Sequence, residues 1–487
     1  MDKKQIESEK NLMISQIKKY SPIFKRFFDI NLTLRQYSKG IYDFKLNKVY
    51  IKRQEIVKKE ILLKFNTLFG KDCQKKLNIN FTEQLAINIV DHHQVLNHPL
   101  LISDNVIANV GKFNCKKRQD AIVVISSGDV PPNNYFSKNG FQFHEKKVPI
   151  FSNSESESNS CLLPKRDFNF IEKLKISKKW SNFTPEEKNF LFEQYKKISS
   201  LDFSGCANYN DQITVIVNDS WHYLFEDKLR KNLPELLYIT QEELTTNCLL
   251  KILDDKNYIT EILFNKQFRN KVLDNFRGIV VTWNEKENKG THFFWRKHPF
   301  ENRLLRMYVR DEELVPCDKE FENLKVNFEK EEIRDLLIKK EIFPSLFMIF
   351  GVLNFYFGIK PLVGQGSIIY LNLIRDGWIN LLKESEFKDE VKNIQSYEID
   401  YMISGLALFF QKAAGQFKTL YAYDIIYNGG VSAKYLDKAF EMKFGDLLAM
   451  SITGTYDYIS QKYIPDNEKI KPKVTADILA ESLIDWL

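Results

Sequence analysis

The stretch from Ile87 to Leu101, INIVDHHQVLNHPLL, sets Asp91, His92, His93, Gln94, Asn97 and His98 directly after a short apolar run and holds three of the chain's seven histidines. Open α/β sheets bind ligands beyond the carboxyl ends of their strands, so an apolar run that ends in titratable groups predicts a site at a strand tip. An imidazole near its natural pKa exchanges protons at neutral pH. His93 or His98 is the expected acid–base group, with Asp91 orienting the ring and Asn97 positioning a substrate.

The same residues admit a metal alternative, because Asp91, His92 and His93 on one tip could converge on a divalent ion that activates water. The letters IVDHHQ resemble the signature of the DHH phosphoesterases. In that family the triad joins an upstream cluster with a histidine and paired aspartates, and no histidine precedes His92 here. A third reading, the nucleotide-handling folds of the HUP type, places histidines at the end of the first strand to meet developing phosphate charge. Its HxGH spacing is absent: His93 and His98 are five apart without a glycine, and the KxSK string Lys175 to Lys178 is too common a pattern in a lysine-rich chain to count.

Positioning these groups requires a βαβ unit. Leu85 to Val90 and Ala121 to Ile125 read as buried parallel strands, with Leu100 to Val110 as the crossover helix. After the second strand, Gly128, Pro131, Pro132, Asn133 and Asn134 dictate an irregular loop, which brings Ser126, Ser127 and Asp129 beside the histidines as substrate-binding residues. Phe151 to Ser160, polar and acidic, predicts a mobile loop or lid. Ile213 to Val217 (ITVIV) and Arg277 to Trp283 (RGIVVTW) read as further strands.

Two strings stand apart from that unit. In Val363 to Tyr370, VGQGSIIY, the residues Gly364, Gly366 and Ser367 could free backbone N–H groups for an anion at a helix start, although the string lacks a full dinucleotide fingerprint. In Gly290 to Pro299, GTHFFWRKHP, His292 and Arg296 share one side of an extended strand and suit a carboxylate, a phosphate or a stacked base.

The 487 residues are 44% hydrophobic and 14% aromatic, enough for a sizeable core in two or three domains. The expected fold class is α/β, a Rossmann-like parallel sheet with helical insertions. Residues 1–75 form an amphipathic helical segment broken at Pro22, 76–330 the α/β core and 331–487 an α-rich carboxyl-terminal domain. The charge of +7, from 71 basic and 64 acidic residues, is spread along the chain and gives no strong nucleic-acid signal. Six scattered cysteines without a CxxC pair, and an amino terminus without the apolar core of a secretory signal, point to a reduced cytoplasm. Ile342 to Ile359 carries no charge but is interrupted by Pro344, Gly351, Asn354 and Gly358, so a buried core helix is expected there and not a membrane span.

DHHQVLNHPLL and VGQGSIIY together resemble, in form and order, two strings of the BshC family, the proposed cysteine-adding enzymes of bacillithiol synthesis. Asp91, His92 and His93 replace that family's Gly-Gln-Gln run, and Ser367 stands where it has a glutamate. The resemblance implies a Rossmann-like core, a helical carboxyl-terminal region, a bacterial source and ligase or transferase chemistry. Taken together, the expectation is an enzyme that binds an anionic or nucleotide-like small molecule at strand tips and catalyses group transfer or ligation. A nucleotide is the candidate cofactor, and a divalent metal enters only in the phosphoesterase alternative. The remaining alternative is a non-catalytic scaffold with structural histidines.

Overall fold

The computed structural model describes residues 2–45, 47–81, 85–113, 117–150, 155–167, 181–396, 398–399, 401–413 and 416–487. Its centre is an all-parallel sheet of five short strands: β1 (Ala86–Asn88), β2 (Ile122–Ser126), β3 (Leu236–Thr240), β4 (Lys360–Val363) and β5 (Tyr401–Met402). Their order across the sheet is β5-β4-β1-β2-β3. The chain first winds outward from β1 to β3, then returns to the other side of β1, so the order reverses between β1 and β4. Helices or insertions follow each strand, and antiparallel pairs such as Gly140–Phe143 with Lys146–Pro149 and Phe294–Lys297 with Ile342–Pro344 surround this core. The chain is thus a mixed α/β protein.

The expected βαβ unit is present, with Pro99–Ala108 as the helix between β1 and β2. Pro99 occupies its first turn, where a missing N–H does no harm, and the His98 ring caps it by accepting from Leu100 N at 3.2 Å. The amino-terminal segment is helical over Lys3–Tyr20, Leu34–Ile41 and Lys48–Phe69, and Pro22 closes the first of these. The last helix docks closely on the core. Gly358, at φ +71°, lets the Tyr50 ring sit where a Cβ would lie 2.2 Å away, and Tyr50 donates to Phe355 O at 2.8 Å.

Several expectations need correction. Ile213–Val217 is not a strand but the middle of the helix Tyr209–Tyr223, started by Asn208, whose side chain accepts from Asp211 N. Burial of every residue from Tyr209 to Val217 lets β-branched side chains pack there despite their strand preference. Arg277–Trp283 is a turn for most of its length, since Gly278 and Val281 both take positive φ, +83° and +71°, and Thr282 Oγ1 bonds back to Phe276 O. β4 and β5 lie in the region set apart as a helical domain, so the sheet draws on both sides of residue 330. The uncharged stretch after Ile342 is a buried strand followed by a short helix, Leu346–Ile349, that continues as a wide helical turn to Tyr356. Among the described residues no helix is long and apolar enough to cross a membrane.

Candidate functional site

The tips of β1, β2 and β4 meet at one sheet edge, as the sequence suggests, but most of the predicted side chains are spent on the fold. His93 is buried, its Nδ1 at 2.8 Å from Ser126 Oγ and its Nε2 at 2.7 Å from Asn210 O. Burial pushes its pKa down to about 4. His98 is buried among Tyr135, Phe136 and Tyr421, and desolvation followed by the Lys138 charge lowers it to about 3. Both rings are neutral at pH 7. Their pKa values therefore lie below the near-natural range expected of an acid–base imidazole.

Asp91 orients neither histidine. Fully buried, it accepts from Asn88 at 3.0 Å, from Asn105 at 2.8 Å and from the Tyr238 hydroxyl. Burial raises it to about 6 against the pull of those three donors. Asp104, also fully buried, is driven well above the carboxylate range by burial and by Asp91, and Ser404 faces it. His92 turns toward Asn134 at 3.3 Å. Asp91, His92 and His93 thus serve three separate networks, and the phosphoesterase-like metal triad is not assembled. Among the described residues no group of three His, Cys, Asp or Glu side chains is placed to hold a metal ion.

Asn97 is likewise a strut, not a substrate contact: it donates to Phe136 O at 3.1 Å and accepts from Gln142 N at 2.7 Å. Asn97→Ala strands those groups in the interior, and we expect urea unfolding to show a loss of about 2 kcal/mol. The Gly364 turn is closed from above: Gly364 N donates to Ser367 Oγ, Gln365 bonds Thr455, and the Tyr458 hydroxyl lies 2.8 Å from where a Gly366 Cβ would be. His292 is held between Glu285 and Val309 N, and Arg296 reaches Glu341 O while its Nε has no partner. Of the expected lid, 155–160 is anchored: Gln94 binds Ser160 Oγ at 2.7 Å, Glu155 pairs with Arg166 and Asn159 N bonds Asn302 O. Residues 151–154 and the string Lys175 to Lys178 lie outside the described residues.

What remains for chemistry is one step along the edge. Past β2, Ser127 Oγ accepts from Gln241 at 2.8 Å and Gly128 N donates to Glu242 Oε2 at 2.9 Å. Only glycine fits at 128, since a Cβ would lie 2.6 Å from Thr240 Cγ2 and 2.8 Å from that carboxylate oxygen. Glu242 is 3% exposed, and burial together with the neighbouring Asp129 charge pushes it up to about 8. Asp129 is raised as well, by burial. Two carboxyl groups that resist ionising together hold a proton near neutrality.

Asp129 also lines a cavity of about 630 Å³, together with Glu287, Lys289, Trp295, Lys462 and Tyr463. Glu242 follows the strand LLYIT, which is itself an apolar run ending in polar groups and carries in the sequence the same signal as the run before Asp91. Comparison with protein-family models and with curated proteins finds no match.

Proposed function

We propose that this chain is an enzyme with a Rossmann-like core that binds an anionic, nucleotide-like small molecule and carries out group transfer or ligation, with Asp129 and Glu242 handling the proton. The observation that carries the reading is the position of Asp129, which belongs to the carboxyl pair and to the wall of the 630 Å³ cavity. That volume suits a cofactor-sized ligand. Lys462 supplies positive charge there, Lys289 is paired with Glu287 on the same wall, and Trp295 and Tyr463 supply rings for stacking. The strand order, outward from β1 and back to its other side, matches the arrangement in which ligands settle at the carboxyl edge near the reversal. The two BshC-like strings follow β1 and β4, the strands at that reversal, which favours a shared architecture. The ligase or transferase chemistry of that family is adopted here as part of the proposal.

Calorimetric titration with ATP and with inorganic pyrophosphate tests it. Binding should weaken about 10-fold in Lys462→Ala, the equivalent of one charge-assisted contact of about 1.4 kcal/mol. If the wild-type chain responds to neither probe at millimolar concentration, the non-catalytic scaffold becomes the better account.

A further inference from the structure

A second, smaller cavity is lined by Glu242 itself. It holds about 250 Å³ between the helix Gln241–Ile252 and the segment from Leu337 to Phe343. Leu250, Leu337, Ile342 and Phe343 give it an apolar body, and Glu242, Asn210 and Cys161 stand at its polar end. Asn210 is only 6% exposed and donates through Nδ2 to Gly128 O at 3.3 Å, which fixes its orientation, yet its Oδ1 has no hydrogen-bond partner. A buried acceptor without a donor is costly unless something fills it.

The polar end carries the Glu242 carboxyl and the unpartnered Asn210 oxygen beside the neutral side chains of Thr240, Thr246 and Asn247. Asp129 and Glu242 face each other across the Gly128 turn, and Cys161 sits close enough for both to hold its thiol well above the ordinary range, after burial. Glu243 is already paired, with Lys64, which also bridges to Asp211. Lys340, the one cation among the lining residues, is exposed at the rim.

We propose that this cavity binds a small primary ammonium ion with an apolar body, its N–H groups directed at Asn210 Oδ1 and the Glu242 carboxylate. The empty site meets the charge problem by keeping a proton on Glu242. An ammonium brings the missing counter-charge, so binding should expel that proton. The inference shares Glu242 with the enzyme reading but not its cavity, and the ATP titration and the amine titration can therefore fail independently.

The experiment is calorimetric titration of the full chain with n-butylamine, in phosphate and in MOPS buffers, whose ionisation heats differ. Near pH 7 about one proton should leave per amine bound, and affinity should rise by up to about 10-fold per pH unit from pH 6 to 8. n-Butanol, with the same body and no charge, should bind at least about 10-fold more weakly. Glu242→Gln should abolish the proton release, and Leu250→Trp should fill the cavity and abolish binding. Should Leu250→Trp fail to fold, Ile338→Trp at the exposed rim serves in its place. Equal binding of butanol, undiminished binding in the filled variant, or no proton release from the wild type would each overturn the proposal.

Discussion

His93→Ala should lower stability at pH 7 by about 3–5 kcal/mol while leaving binding in the large cavity intact once the protein is folded. The ring fills interior space beside Tyr238 and contacts Ser126 Oγ on β2 and Asn210 O on the helix Tyr209–Tyr223, which precedes β3. Truncation opens a cavity and leaves Ser126 Oγ with only a long bond to Ile239 O and Asn210 O with the Thr214 hydroxyl. The sign of its pH dependence separates this structural role from a catalytic one. A base whose folded pKa is about 4, below its ordinary 6.5, contributes stability that is complete above 6.5 and lost as pH falls toward 4. At about 1.4 kcal/mol per pH unit across that window, the wild type loses about 3 kcal/mol from His93 alone on acidification. The alanine variant starts lower and falls less steeply. Urea unfolding at pH 7, 5.5 and 4.5 checks it, and parallel curves for the two proteins would mean that the imidazole titrates elsewhere.

The histidines show where sequence reasoning ends. Residue type announces what a group can do, and the apolar run before Asp91 correctly signalled a strand tip. Whether an imidazole stays titratable depends on what surrounds it, and the partner that closes off His93 lies 117 residues later in the chain. The same limit applies to Ile213–Val217: five residues, four of them apolar, have no period long enough to separate strand from helix, and the deciding signals were Asn208 at the cap and burial on all sides. β4 hides in Lys360–Val363, only four residues and half of them Pro or Lys. The turn after it, from Gly364 to Ser367, was legible as a strand-to-helix transition because two glycines precede an apolar helix. Its closure by Tyr458 was not legible, because that contact joins residues about ninety positions apart. Asp129 was found through its loop chemistry, and Glu242 was missed with its strand, so half of the carboxyl pair stood in the sequence reading without the neighbour that makes it reactive.

Glu242→Gln should act in the opposite direction to His93→Ala and should stabilise the protein at alkaline pH. A carboxyl whose folded pKa is about 8, against an ordinary value of 4.5, is protonated in the fold and ionised in the unfolded chain throughout that interval. The native state then binds more protons, so stability falls as pH rises from about 4.5 to 8. The window spans on the order of 5 kcal/mol at about 1.4 kcal/mol per pH unit. Glutamine keeps the shape and still accepts from Gly128 N, but it never ionises. At pH 8 the variant should therefore be more stable than wild type by a few kcal/mol, with little difference near pH 5, where both side chains are neutral. Asp129, which burial alone holds up, should keep its raised pKa in the variant, as carbon NMR of its carboxyl would show. A variant less stable than wild type at pH 8 would mean that Glu242 is held as a carboxylate by a counter-charge, and the proton-sharing pair would have to be given up. If instead stability rises and turnover disappears together, the site carries the strain typical of catalytic groups, kept at the expense of the fold because the shared proton is the one the reaction uses.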